Sequence, residues 1–387
     1  MKRTVCCMLS VLLLGTFGLT ACSKEPKLPS DKYGTAEMAT PFCLTDTMYN
    51  ESVMLLSEYD EPAIGTIAFE PTSKIVVRDS SLSVIYEEGR DYIFDKETRT
   101  ITRVEGSSIP YVTLENLYDF GEALPDGFNL FPGTPSSPNL VYSETPFYFQ
   151  HQVFVTYEYD KNKVDKTVVS AYKEGSLPKT VQKLKGKQEI TMAVLGDSIS
   201  EGANSSAFLD VEPYNPCYSN LLMNYFQDEL GASVNYFNTS VGGQKSSYAI
   251  TAANNLGSIS PDLAIIAFGM NDGDTTSDYT YTKNIKEAMN AILEKNPDCE
   301  FILIAPMQAN PESAAGGQQW RFYDLLEGIT ADYAENSVIA VNMFSLHQYM
   351  FNQGKKFIDM SANNVNHPND FMMRLYAMNI LARFWKF

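Results

Sequence analysis

Histidine is scarce in this chain: three among 387 residues, at positions 151, 347 and 367. There is no Cys-x-x-Cys pair and no cysteine–histidine cluster with ligand spacing, so a metal centre of ordinary pattern is excluded. Positive charge is also in short supply. Lys and Arg number 29 against 47 Asp and Glu, a formal net charge of −18. A chain this acidic repels phosphate backbones and anionic lipid surfaces, which excludes nucleic acid as a partner class. Long apolar runs are missing too. The run Val5–Leu14 is too short for an ordinary membrane span.

What is present at the start reads as a processing segment over 1–21. Lys2 and Arg3 are its positive region and Val5–Leu14 its apolar core; their removal takes the net charge from −18 to −20. Leu19-Thr20-Ala21-Cys22 closes it, with a cysteine directly after small residues. That ending resembles the lipobox of bacterial lipoproteins, and the resemblance implies lipidation at Cys22. Each buried methylene of a lipid chain contributes ~0.8 kcal/mol, so acylation would hold an otherwise soluble body at a membrane. Contact with the membrane is then expected through this lipid only. The expected location is the cell envelope, with Ser23 pointing to the outer membrane. Cys6 and Cys7 leave with the leader, so Cys43, Cys217 and Cys299 remain. They read as small buried hydrophobes, and at most one bridge, Cys217–Cys299, is open to them.

Hydrophobic residues make up 44% of the chain, enough for two cores. Residues 22–40 are polar and carry Pro26 and Pro29, as a tether would. Residues 41–172 hold short alternating or β-branched runs: Ile64–Phe69, Lys74–Arg78, Leu82–Tyr86, Tyr92–Phe94, Thr98–Arg103 and Gln152–Tyr159. With turn residues between them, they predict an all-β, sandwich-like domain. Residues 173–188 read as a charged linker containing Gly175, Pro178 and Gly186. Over 189–387 the rhythm becomes strand, loop, helix. Apolar strands are expected at Ile190–Leu195, Val234–Phe237, Leu263–Phe268, Phe301–Ala305 and Val338–Val341, with amphipathic stretches between them and a last helix over Asp370–Trp385. That alternation predicts an α/β domain around a mostly parallel sheet, whose ligands gather beyond the carboxyl ends of the strands.

Three motifs stand there. Gly196-Asp197-Ser198 follows the first strand, Gly242-Gly243 ends the loop after the second, and Gly269-Met270-Asn271-Asp272 follows the third. A fourth, Asn366-His367-Pro368, precedes the last helix. Acyl transfer needs this set. A serine hydroxyl is a weak nucleophile until a base takes its proton, and the oxyanion that follows needs donors aimed at it. Ser198 is the candidate nucleophile and His367 the candidate base. The N–H groups of Ser198 and Gly243 and the amide of Asn271 are the candidate donors. His151 and His347 read as structural.

These four blocks, in this order, resemble the SGNH (GDSL-like) hydrolases, whose named Ser, Gly, Asn and His fall on Ser198, Gly243, Asn271 and His367. The resemblance covers about residues 189–387. It implies a flavodoxin-like three-layer fold, ester hydrolysis through an acyl-enzyme, and no metal or organic cofactor. One departure is plain. The family's last block carries an Asp three residues before the His, and here Asn364 stands there. Asn364 can orient the imidazole as a neutral acceptor; Asp359, Asp370 or a backbone carbonyl can replace it. The segment Glu201–Ser206 after the nucleophile is polar, which disfavours long acyl chains. The block pattern, β domain and tether look like polysaccharide-processing esterases, so an acetylated glycan is the expected substrate. A short-chain lipase or thioesterase, or an inactive glycan-binding lipoprotein, are the alternatives.

Overall fold

The computed structural model describes residues 28, 33–273, 275–334 and 337–387. The leader and Cys22 lie outside the described residues.

Five parallel strands form the central sheet: Glu189–Gly196, Ser233–Asn238, Leu263–Ala267, Glu300–Ala305 and Val338–Asn342. Numbered along the chain, their spatial order is 2-1-3-4-5, the flavodoxin-like order. Alternate side chains leave each strand on opposite faces. Ile190, Met192, Val194, Ile265, Ile302 and Ile304 pack on one side, and Ala193, Leu195, Ile266, Phe301 and Leu303 on the other. The second side is covered by the helices Ala249–Asn255, Asp278–Leu293 and Phe322–Thr330. The first is covered by Tyr218–Asp228, Met343–Asn352 and the closing helix Asp370–Phe384. Three layers result, as expected.

Residues 41–172 are β-rich. One four-stranded sheet pairs Thr47–Met54, its edge strand, with Gln152–Glu158, and a five-stranded sheet runs through Ile64–Thr66 and Thr100–Arg103. A separate hairpin joins Phe128–Phe131 to Leu140–Ser143. The strand Thr47–Met54 escapes a reading by pattern because Asn50, Glu51 and Ser52 look like a turn. They are instead buried, and their polarity is consumed inside the molecule.

The closing helix shows where they go. Every residue in it except Arg383 is buried. A helix apolar all round belongs inside a protein, and this one packs on the parallel sheet with one face and on Thr47–Met54 with the other. Its Arg374 donates to the Tyr49 carbonyl of that strand and lies over the Phe371 ring. Just before the helix, Lys355 is fully enclosed against Glu51 at 2.8 Å and donates to the carbonyls of Ser52 and Thr66. Gln152 donates to the carbonyls of Ile358 and Ser361, and Asn369 bonds Ser52 and Gln152. The β-rich region and the segment before the closing helix therefore share one satisfied polar interface beneath one continuous apolar core.

Two further expectations need correction. Thr35–Ala39, placed in a tether, forms a helical turn packed against Tyr218–Asp228 and the closing helix. Pro178–Lys185, placed in a linker, is a helix: Pro178 presets its first turn, and buried Glu300 accepts from the first-turn N–H groups of Lys179 and Thr180. Cys43, Cys217 and Cys299 are each free and buried, so the Cys217–Cys299 bridge is not formed. Among the described residues no helix is long and apolar enough to cross a membrane.

Candidate active site

Ser198 opens a single helical turn, Ser198–Glu201, straight after the first parallel strand. The sequence folds this way because Gly196 leaves no room for a side chain: a Cβ there would stand 2.4 Å from Ser200 Oγ and 2.7 Å from the Ala267 carbonyl oxygen. Asp197 caps the turn by accepting the Ile199 N–H at 3.0 Å. Burial, reinforced by the charge of Asp272, pushes its pKa up to about 7 despite that bond.

The second and third blocks meet beside it. A Cβ on Gly242 would lie 3.7 Å from that of Ser198, so the loop after the second strand passes close over the hydroxyl. Gly243 follows with φ of +72°, a left-handed conformation that favours glycine. Asn271 donates its side-chain amide to the Gln244 carbonyl at 3.0 Å. Buried Asp272 accepts the N–H and hydroxyl of Ser246, tying the same two loops together.

His367 lies on a loop organised by its own asparagine. The Asn363 side-chain oxygen accepts the N–H groups of Val365, Asn366 and His367, each at 3.0 Å. The imidazole is turned so that Nε2 is 2.9 Å from Ser198 Oγ. Its Nδ1 faces two acceptors, Asn204 Oδ1 and Glu144 Oε2, the latter at 3.1 Å. With acceptors at Nδ1, the neutral ring carries its proton there and leaves Nε2 free to take the serine proton. The structure thus brings Ser198, His367, Gly243 and Asn271 to one rim at the carboxyl ends of the first three strands.

Asn364 does not join them. Its side-chain nitrogen donates to the carbonyls of Leu117 and Val141 and its oxygen accepts from Asn310, so it faces away from the imidazole. Its φ of +67° turns the chain between this anchor and His367. The other two candidates are also committed elsewhere. Asp370 accepts the N–H and hydroxyl of Ser206. Asp359 accepts the N–H groups of Met54 and Lys356 and lies 3.7 Å from Lys355.

Sequence reasoning missed both groups that do face Nδ1. Asn204 lies six residues after Ser198, with φ of +62°, and its position after Gly202 was the available signal. Glu144 is 223 residues from His367 in the chain, and nothing local marks it. His151 packs against the Phe147 ring in a tilted arrangement and bonds the Phe147 carbonyl. Buried His347 sits between Phe351 and Phe357, where burial depresses its pKa to about 3 and keeps it neutral.

Residues 194–375 match the GDSL-like Lipase/Acylhydrolase family. No curated protein matches the sequence. Among solved structures, a two-domain esterase active on acetylated mannans, crystallised with mannopentaose, is similar at 22% identity and a TM-score of 0.42. The likeness covers 53% of this chain and 52% of that one, so it spans about half of that protein's length. A member of the lipolytic G-D-S-L family from Veillonella parvula is similar at 19% identity and a TM-score of 0.39, over 52% of this chain and 100% of that one. An acetylxylan esterase from Geobacillus stearothermophilus is similar at 14% identity and a TM-score of 0.38, over 50% and 92%.

Proposed function

We propose that this protein, whose residues 194–375 form a GDSL-like acylhydrolase domain, is a serine esterase that removes short acyl groups, acetyl foremost, from a glycan. The observation that carries the reading is the contact of His367 Nε2 with Ser198 Oγ at 2.9 Å, with Nδ1 engaged on its far side.

The chemistry follows from that geometry. His367 Nε2 takes the hydroxyl proton as Ser198 Oγ attacks the ester carbonyl. The oxyanion meets the N–H groups of Ser198 and Gly243 and the Asn271 amide, whose second hydrogen is not used by Gln244. The intermediate collapses, the sugar oxygen leaves with the proton from His367, and an acyl-Ser198 remains. Water, deprotonated by the same imidazole, attacks it; the acid departs and the serine regains its proton. No cofactor enters these steps.

Support for the substrate is coarser. The residues after the nucleophile, Glu201–Ser206, are polar apart from Gly202 and Ala203, which suits a short acyl group. The acidic chain favours an uncharged polymer over an anionic one. We also assign the lipid to Cys22 and the protein to the cell envelope on the lipobox-like ending, a reading that Cys22→Ala tests by loss of membrane association.

The function is tested by acetate release from a panel of acetylated glycans, with Ser198→Ala as the control. The reading expects release that vanishes in the variant. Turnover of p-nitrophenyl acetate without release from any glycan overturns the substrate, and turnover of neither overturns the esterase.

A further inference from the structure

Among the described residues of the matched hydrolase domain no carboxylate reaches the histidine ring: Asp359 and Asp370 have other partners, and Asn364 faces elsewhere. The carboxylate that does reach His367 comes from outside it. Glu144 follows the strand Leu140–Ser143 of the β-rich region, and its two oxygens grip the histidine loop at two points. Oε2 is 3.1 Å from His367 Nδ1, and Oε1 accepts from Asn363 Nδ2 at 3.1 Å. Asn363 is the residue whose other end holds the His367 backbone, so ring and loop are held by one carboxylate.

The strand that delivers Glu144 is itself pinned to this loop. The Val141 carbonyl accepts from both Asn364 and Tyr148, and Leu117 is bonded to Asn364 as well. The hairpin's far end is clipped to the loop after the fourth parallel strand, through Thr134 N–H to the Glu312 carbonyl and Ala314 N–H to the Pro132 carbonyl. Glu144 is therefore placed by a scaffold rather than by its own flexible stem. Burial works to raise its pKa, but the hydrogen bond and charge of His367, with Asn363 and Asn204, outweigh it, and the carboxyl is held below its ordinary value.

Other charges near the site are turned away from the ring. Asp197, beneath the nucleophile, caps Ile199. Asp370, on the closing helix, is taken up by Ser206. Glu201, at the end of the serine turn, lies toward Gly242.

We propose that Glu144 is the positioning residue of His367: it completes a Ser198–His367–Glu144 triad from the β-rich region, so that region is part of the catalytic centre. The inference rests on the esterase reading above. Asn204 and Glu144 divide the work at Nδ1. The neutral amide oxygen helps fix the tautomer, and the carboxylate adds charge opposite the imidazolium that forms when Ser198 gives up its proton.

The test compares wild type with Glu144→Gln and Glu144→Ala in the full chain, over a pH series of kcat/KM for p-nitrophenyl acetate. The Glu144 side chain is 52% exposed, so water screens part of its charge and Asn204 still holds Nδ1–H. The expected loss is therefore ~10–10²-fold, below the ~10⁴-fold of a serine protease that loses its buried triad carboxylate. A carboxylate beside the ring favours the protonated imidazole, so its removal moves the acidic limb of the profile to lower pH. Glu144→Gln should show that movement with an unchanged melting temperature. A Glu144→Gln/Asn204→Ala double variant should lose far more than Glu144→Gln alone, since the last acceptor is gone.

A second readout does not depend on turnover. The downfield proton NMR signal of His367 Nδ1–H should move upfield in Glu144→Gln. An unmoved limb and an unmoved proton signal, with Ser198→Ala inactive, overturn the role of Glu144 and leave the esterase intact. Activity that survives Ser198→Ala overturns the esterase itself.

Discussion

Asp370→Asn distinguishes a replacement acid for the histidine, one of the candidates the sequence offers, from a buried carboxyl with another task. Asp370 is enclosed at the start of the closing helix, where Ser206 donates its N–H at 2.8 Å and its hydroxyl at 2.6 Å. Burial still dominates and pushes the carboxyl from its ordinary 3.8 to about 7. Between those two values the folded protein binds a proton that the unfolded chain does not, so stability falls as pH rises through the window. The slope is up to about 1.4 kcal/mol per pH unit, on the order of 4 kcal/mol across the window. Asparagine keeps the shape and one donor–acceptor arrangement of the protonated acid and is neutral throughout, so it escapes that loss. With an unfolding entropy of about 2.1 cal/mol/K per residue, about 4 kcal/mol corresponds to about 5 °C in a chain of this size. Thermal melts at about pH 4 should find the two proteins close together, and melts at about pH 7.5 should find Asp370→Asn higher by about that amount. Asp197, raised to about 7 for the same reason, contributes equally to both and cancels in the difference. Because Asp370 does not touch the imidazole, kcat/KM should stay within about twofold, well short of a triad loss. Parallel melts at both pH values, or a tenfold loss of kcat/KM with unchanged stability, would refute the assignment.

Three other substitutions follow from the same geometry. Asn271→Ala should lower kcat by ~10²-fold or more with little effect on KM in steady-state kinetics, because the oxyanion exists only near the transition state. Asn364→Asp should destabilise the fold, since a buried carboxylate would face the carbonyls of Leu117 and Val141; thermal melts should fall while the acidic limb of the pH–rate profile stays in place. Lys355→Met should destabilise by about 3–5 kcal/mol in denaturant titrations, because it leaves Glu51 and Asp359 buried without their cation.

The parallel sheet was readable in the sequence because its strands are short apolar runs buried on both faces, as in Ile190–Leu195 and Leu263–Ala267. The motifs were readable because chemistry constrains them locally: Gly196 permits the turn, and Ser198 must stand at its end. Two kinds of feature were hidden. Polar residues that satisfy one another in the interior, such as Glu51 with Lys355 and Tyr157, look like surface until the partner is known. Contacts across long chain separations leave no local trace, so Glu144 was invisible, and the position of Asn364 three residues before His367 gave a false lead. The left-handed turn at Asn364 rotates its side chain toward the hairpin, and a spacing rule carries no information about that rotation. The charge and the Gly and Pro residues of 173–188 suggest a linker, yet Pro178 starts a helix there, which the capping carboxylate of Glu300, 120 residues from Thr180, makes possible.

The central claim is that Ser198 is a nucleophile activated by His367. Its most direct measurement is covalent trapping: incubation with diethyl p-nitrophenyl phosphate, then intact-mass and peptide-mapping mass spectrometry. The account predicts one diethylphosphoryl group on the peptide containing Ser198, no adduct in Ser198→Ala, and strongly slowed labelling in His367→Ala. An adduct on another residue, or labelling of His367→Ala at the wild-type rate, would contradict it.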